Sequence, residues 1–197
     1  MGSRKRIGLY GGTFDPVHIG HLVTGMSVRH ALGLDEMRFV VANEPWQKAD
    51  RDLTPARLRY DMVARSVADV EGAVASDVEL ELGGTSYTAR TLAALAEREP
   101  RASFWLVVGG DQAANLDTWK DVEEIKRLAT LVVVDRPGSE GCEPPEGFRY
   151  ERVDVPLLEV SSSLVRERVA GGGPIDWLVP DAVVAMLAEH RLYRSPT

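Results

Sequence analysis

Length, composition and charge limit what this chain can be. It has 197 residues, of which 44% are hydrophobic and 27% are charged, as expected for a globular protein of about one domain. The formal net charge of −7 argues against binding of a nucleic acid polymer. No apolar run approaches the ~18 residues of a membrane span, and a single cysteine excludes an internal disulfide and a cysteine-based zinc site. We therefore expect a cytoplasmic protein.

Segments with strand and helix patterns alternate along the chain. Strands are predicted at residues 6–10, 37–42, 73–80, 103–108, 129–135 and 149–155. Helices are predicted at residues 21–32, 53–68 and 87–99, between the strands at 103–108 and 129–135, from about 162, and at 181–192. In the helix at 53–68, Thr54 is the expected N-cap and Pro55 the first helical residue.

This alternation predicts an α/β fold. We expect a Rossmann-like, doubly wound, mostly parallel sheet with helices on both faces. Residues 1–197 are predicted to form one such domain, with a long loop at 137–147. The glycine-rich or polar clusters fall after the predicted strands and read GGTFDP, NEPWQK, GGTSYT, GGD and RPG. Because the carboxyl ends of parallel strands share one edge of the sheet, these clusters predict a single site there.

The first cluster continues as YGGTFDPVHIGH, residues 10–21. Gly11 and Gly12 allow a tight turn that brings backbone amides close to a ligand. His18 and His21, spaced i and i+3 at a helix start, could be metal ligands, acid–base groups, anion-binding groups or ordinary polar residues. A zinc site would need a third protein ligand, which the sequence does not offer nearby. Cations at the positive end of a helix are favourable where an anion sits between them.

The run VSSSLVRERV, residues 160–169, repeats this pattern near the C-terminus. One of its three serines is expected to cap a helix. Arg166 would lie in the first turn, where it is either a solvated surface cation or, with the serine hydroxyls and free amides, a binder of triphosphate oxygens.

Three further candidates carry weaker signals. Lys48 follows the second strand, where an exposed lysine is common. Trp119, at a predicted helix start, suits either the core or stacking on a flat ring. Asp111 could bind ribose hydroxyls or a magnesium-bound water, or could simply cap a helix.

Together these motifs resemble a known family. Residues 10–21 resemble the GTFDPxHxGH signature of the nucleotidyltransferase superfamily, and residues 160–166 resemble its second signature, Ile-Ser-Ser-Thr-x-x-Arg. With NEPWQK, GGTSYTARTL, VVGGD, a following tryptophan and RPG in order, the chain resembles bacterial nicotinate mononucleotide adenylyltransferases. The run PWQK is typical of the actinobacterial members. The resemblance covers nearly the whole chain.

The resemblance implies a reaction and a set of site residues. ATP and nicotinate mononucleotide would give nicotinate adenine dinucleotide and pyrophosphate, by direct attack of the mononucleotide phosphate on the α-phosphate. The residues implied to be catalytic are His18, His21 and Arg166. Those implied to bind ATP are Gly11, Gly12, Thr13, Phe14, Gly109, Asp111, Ser162 and Ser163, with the helices at about 161–193 completing the ATP site. Those implied to bind the mononucleotide are Asp15, Lys48, Ser86, Tyr87, Thr88, Trp119 and Arg136.

The resemblance also implies Mg²⁺ that binds with ATP mainly through water, and no metal site made of protein ligands. Departures from the family pattern are Arg90 in place of Asp, Ser163 in place of Thr, and Gly110 in place of Ala. Arg90 could favour a carboxylate substrate or alter loop packing. Nicotinamide mononucleotide as the preferred substrate, a non-catalytic nucleotide-binding paralogue, and a homo-oligomeric state remain open alternatives.

Overall fold

A parallel β-sheet runs through the centre of the structure, a computed structural model that describes residues 4–46, 52–135 and 141–194. Its strands and those of a small second sheet are β1 (Arg6–Gly12), β2 (Glu36–Val41), β3 (Glu44–Pro45), β4 (Ala73–Ser76), β5 (Thr85–Ser86), β6 (Ser103–Gly109), β7 (Ala129–Val134) and β8 (Tyr150–Val153). The helices are α1 (Ile19–Leu32), α2 (Ala56–Val67), α3 (Val78–Leu82), α4 (Thr88–Arg98), α5 (Gly110–Ala113), α6 (Val122–Leu128), α7 (Ser162–Ala170) and α8 (Asp181–Glu189), with a 3₁₀ turn at Leu116–Thr118.

The main sheet has the strand order β4-β2-β1-β6-β7-β8, and every neighbouring pair is parallel. The first half of the chain forms β1, β2 and β4 on one side of the sheet, and the second half forms β6, β7 and β8 on the other. This is the doubly wound Rossmann order, and it confirms the predicted fold class. The order reverses between β1 and β6, so the carboxyl ends of these two strands flank the crevice where such folds bind ligands. A separate parallel pair joins β3 to β5.

Apolar residues of the strands pack into hydrophobic cores on both faces of the sheet. In β7, Leu131 and Val133 belong to one buried cluster, and Val132 and Val134 to the other. Helices α1, α2, α7 and α8 contribute to the cluster that contains Val132, and α3 to α6 contribute to the other. Because both faces are covered, the central strands are almost continuously apolar rather than alternating. None of the helices in the described ranges has the length and apolar composition needed to cross a bilayer.

The structure corrects the predicted third strand. The strand ends at Ser76 instead of residue 80, and residues 78–82 form α3. The amide of Gly83 donates to the Glu79 carbonyl, and Arg90 donates to the carbonyls of Leu82 and Gly83. These contacts close the C-terminal end of the short helix. The cluster GGTSYT therefore follows a helix and contains β5, whereas the sequence pattern placed it directly after a strand.

Two local predictions near helix starts are also wrong. Thr54 does not cap α2, because Pro55 is the N-cap residue and no side chain caps this helix. The Thr54 hydroxyl instead donates to the Tyr193 hydroxyl at 3.1 Å, and its carbonyl accepts from Arg59. Trp119 follows the 3₁₀ turn and precedes α6 by three residues, so it does not begin a helix.

Candidate active site

The loop between β1 and α1 is shaped by aromatic packing. A Cβ on Gly12 would lie 2.8–3.0 Å from ring atoms of Phe14, so the close approach requires glycine. Phe14 itself has a φ of 49° and is buried, with its ring edge-on to His21 at a centroid distance of 5.0 Å. Tyr10 also packs on Phe14, at 6.1 Å. The glycine-rich turn therefore packs against a layer of aromatic rings that also contacts His21.

The two histidines lie against each other at the start of α1. His18 is the N-cap residue, and its ring stacks on that of His21 with centroids 3.6 Å apart and planes at 28°. The backbone amide of His18 donates to Nδ1 of His21 at 3.3 Å. Since Nδ1 accepts this hydrogen bond, the neutral imidazole carries its proton on Nε2, which is a donor. The first turn of α1 contains no acidic residue, so its positive end suits an anion.

The start of α7 is joined directly to this loop. Arg166 donates from Nη1 to the Asp15 carbonyl at 2.7 Å and from Nη2 to the Ser163 hydroxyl at 3.2 Å. The Ser162 hydroxyl donates to the Pro16 carbonyl at 2.9 Å. The N-termini of α1 and α7 are thus held together, and His18, His21 and Arg166 lie beside them.

Ser161 is the serine that caps α7, since its side chain accepts the Leu164 amide at 3.1 Å. Replacing Ser161 by alanine is expected to lower the free energy of unfolding by about 1 kcal/mol, measured by urea denaturation. Ser161→Gly is the matched control, because glycine at an N-cap costs only a few tenths of a kcal/mol. Equal losses in the two variants would contradict a stabilising role for the cap.

Two cavities open at the carboxyl edge of the sheet. The first, of about 530 Å³, lies between the two joined helix starts and the segment that follows β8. The second, of about 270 Å³, lies between the loop after β1, the chain around β3 and β5, and Trp119. Tyr10, His21 and Ser162 line both cavities. His21 therefore stands where a ligand in one cavity would meet a ligand in the other.

Most of the residues singled out from the sequence line one or both of these cavities. Those that line the first cavity are Asp15, His18, His21, Ser162, Ser163 and Arg166. Those that line the second are Gly11, Gly12, Thr13, Phe14, His21, Ser86, Thr88, Trp119 and Ser162. Gly109, Asp111 and Tyr87 line neither cavity, and Lys48 and Arg136 lie outside the described residues.

Several lining residues were missed by the sequence interpretation. Trp46, which is 44% exposed, lines the second cavity, whereas the sequence analysis singled out Lys48 from the same run. Glu79 also lines this cavity, and the mistaken strand at 73–80 concealed it. Leu157 and Leu158 form an exposed apolar wall of the first cavity. Their segment has no periodic pattern that could have marked them.

The Asp15 carboxylate is held by the C-terminal segment. It is buried, and Oδ1 accepts from the Tyr193 hydroxyl at 2.5 Å. Burial raises the pKa of Tyr193 well above its ordinary value, and the hydrogen bond to Asp15 raises it further. Since the Asp15 carbonyl accepts from Arg166, the residue is fixed from two sides.

This contact predicts a stability change in alkaline solution. The unfolded chain loses the Tyr193 proton near pH 10, whereas the folded chain keeps it, so the unfolded state binds fewer protons above about pH 10. The free energy of unfolding is therefore expected to fall above about pH 10 more steeply for the wild type than for Tyr193→Phe. Urea denaturation at several pH values measures both slopes, and parallel curves would contradict the prediction.

Comparisons with known proteins decide the family. The sequence profile of the cytidylyltransferase-like family matches residues 9–168. A probable nicotinate-nucleotide adenylyltransferase of Corynebacterium kroppenstedtii is 42% identical over 191 residues, 95% of this chain and 90% of that protein. The probable nicotinate-nucleotide adenylyltransferase of Leifsonia xyli subsp. xyli is also 42% identical, over 98% of this chain and 96% of that protein. This chain belongs to the nicotinate-nucleotide adenylyltransferase family.

Solved structures agree with this family fold. The Plasmodium falciparum nicotinic acid mononucleotide adenylyltransferase complexed with NaAD superposes with a TM-score of 0.77 at 20% identity, and covers 96% of this chain and 97% of that one. A putative nicotinate-nucleotide adenylyltransferase from Vibrio parahaemolyticus has a TM-score of 0.70 at 19% identity, over 98% of this chain and 97% of that one. At these identities the likeness concerns the fold.

Within this family, Arg90 is the departure whose role the geometry clarifies. Its Nη1 donates to the Gly83 carbonyl and its Nη2 donates to the Leu82 carbonyl, both at 2.8 Å. A cation at the C-terminal end of α3 also interacts favourably with the helix dipole. The described contacts of Arg90 therefore belong to loop packing, the second of the two roles that the sequence left open.

Proposed function

We propose that this chain joins ATP and nicotinate mononucleotide to form nicotinate adenine dinucleotide and pyrophosphate. The observation that carries the proposal is the meeting of two cavities at His21 and Ser162. The first cavity has the imidazoles of His18 and His21 and the guanidinium of Arg166 beside two helix N-termini, which suits a triphosphate. The second has Trp46 and Trp119, which suit a flat pyridine ring.

The chemistry requires no covalent enzyme intermediate. An oxygen of the mononucleotide phosphate forms a bond to the α-phosphorus of ATP, and the bond from that phosphorus to the bridging oxygen breaks. Pyrophosphate leaves with the electron pair of the broken bond. The contribution of the protein is to hold the two phosphates in line and to stabilise the charge on the reacting oxygens. Nε2 of His21 and the guanidinium of Arg166 are the donors we propose for this purpose.

We propose that Mg²⁺ enters with ATP rather than on a site of its own. In the described ranges, no group of three or more His, Cys, Asp or Glu side chains is arranged to hold a metal ion. Phosphate oxygens and water would then supply most of its ligands, as Mg²⁺ favours. When bound, the ion would neutralise phosphate charge, and carboxylates of the first cavity such as Asp15 could contact its water ligands.

Initial rates on two mononucleotides test the proposed substrate. With ATP and Mg²⁺, kcat/KM for nicotinate mononucleotide is expected to exceed that for nicotinamide mononucleotide by at least about tenfold. Pyrophosphate release measures both reactions. Equal values would contradict the preference for the acid, and no release with either substrate would favour the non-catalytic alternative.

A further inference from the structure

A buried arginine forms hydrogen bonds to three chain segments at the carboxyl edge of the sheet. Arg59 is 1% exposed, and among the described residues its guanidinium donates to four backbone carbonyls. The acceptors are Thr13 in the loop after β1, Ala42 and Asn43 just after β2, and Thr54 before α2, at distances of 2.7–3.0 Å. Arg59 thus ties both ends of the segment 42–54 to the glycine-rich loop.

Asn43 extends this network to the loop before α4. Its backbone amide donates to the Ser86 hydroxyl, and its Nδ2 donates to the Gly84 carbonyl, both at 2.9 Å. Strand β3 begins at the next residue and pairs with β5, which contains Ser86. Gly84 and its neighbour Gly83 have φ values of +68° and +63°. Two adjacent residues in the left-handed region favour glycine, so the turn that Asn43 grips is specific in conformation.

The two segments that Asn43 connects are paired through β3 and β5, and both line the second cavity. Trp46 lies three residues beyond Asn43, and Ser86 and Thr88 stand on the other side of the contact. Asn43 itself is not among the lining residues of either cavity. Any effect that it has on a ligand must therefore pass through the loops that it joins.

We propose that Asn43 is a positioning residue for mononucleotide binding. Its two hydrogen bonds hold the loop that carries Ser86 and Thr88 against the segment that carries Trp46, and Arg59 anchors that segment to the glycine-rich loop. This inference rests on the proposed function, which assigns the mononucleotide to the second cavity. Neither Asn43 nor Gly84 lines the first cavity, so ATP binding should not depend on their hydrogen bond.

Asn43→Ala tests the inference, because it removes the Nδ2 donor and leaves the backbone bonds of the residue in place. By isothermal titration calorimetry, the Kd for nicotinate mononucleotide is expected to rise about 3–10-fold, the effect of one lost hydrogen bond. The Kd for ATP is expected to stay within about twofold of the wild-type value. Ser66→Ala is the control and should leave both Kd values unchanged, since the Ser66 hydroxyl donates to the Met62 carbonyl at 2.7 Å and neither residue lines a cavity.

Two results would overturn the inference. One is an unchanged Kd for the mononucleotide in Asn43→Ala. The other is an equal rise of both Kd values together with a lower melting temperature, which would indicate a role in the whole fold. Pyrophosphate release by the wild type tests the proposed function separately. If the wild type binds the mononucleotide but releases no pyrophosphate, the proposed function fails and the two Kd values still decide the role of Asn43. If it does not bind the mononucleotide, both fail.

Discussion

Replacing His21 by asparagine is expected to lower kcat by about 10²–10³-fold, the loss typical of removing one hydrogen-bond donor to a transition state. Asparagine keeps an acceptor near Nδ1, which receives the His18 amide in the structure, but has no atom at the position of Nε2. The start of α1 should therefore stay folded while the donor at the junction of the cavities is lost. Steady-state kinetics with ATP and nicotinate mononucleotide measures kcat, and thermal denaturation reports the fold.

His30 offers the control for this experiment. It lies on the same helix, is exposed, and lines neither cavity. His30→Asn should leave kcat at the wild-type value. A wild-type kcat in His21→Asn would remove His21 from the catalytic machinery, whereas a large loss of melting temperature in that variant would assign the effect to the capping contact.

Replacing Arg59 by methionine is expected to lower the free energy of unfolding by about 3–5 kcal/mol. Methionine has an apolar chain of similar length, but it leaves the four carbonyls that Arg59 serves without this donor in a buried site. Desolvation lowers the pKa of Arg59, whereas the negative charges of Asp15 and Glu79 raise it. For a chain of this size the loss corresponds to a decrease in melting temperature of about 6–20 °C. Differential scanning calorimetry measures it.

Arg57, two residues earlier on α2, separates this effect from the general loss of a cation. Its side chain is 67% exposed and pairs with Asp61 at 3.2 Å. Arg57→Met is expected to change stability by no more than about 0.5 kcal/mol. Arg59→Lys should be destabilised less than Arg59→Met but not restored, because one ammonium group cannot reach carbonyls of three separate segments. Equal stability of Arg57→Met and Arg59→Met would contradict the proposed role of the network.

The sequence predicted the central strands and a doubly wound parallel sheet because long apolar runs are insensitive to their neighbours. It failed where tertiary contacts outweigh local preference. Residues 78–82 alternate between apolar and acidic, the pattern of a strand, yet contacts from Arg90 close a helix there. Thr54 has the residue type of an N-cap, yet Tyr193, 139 residues away, takes its hydroxyl.

The sequence by itself determined the doubly wound fold and the presence of one helix start after the glycine-rich turn and another in the serine run, because glycine turns, serine caps and helical spacing act over a few residues. Only the tertiary structure decided how these parts meet. Arg166 binds the Asp15 carbonyl, and Arg59 binds four carbonyls in three segments. Every residue has a backbone carbonyl, so no residue type marks the partner in the sequence. The joined loops, the two cavities and the contacts of Asn43 with the loop before α4 therefore became visible only in three dimensions.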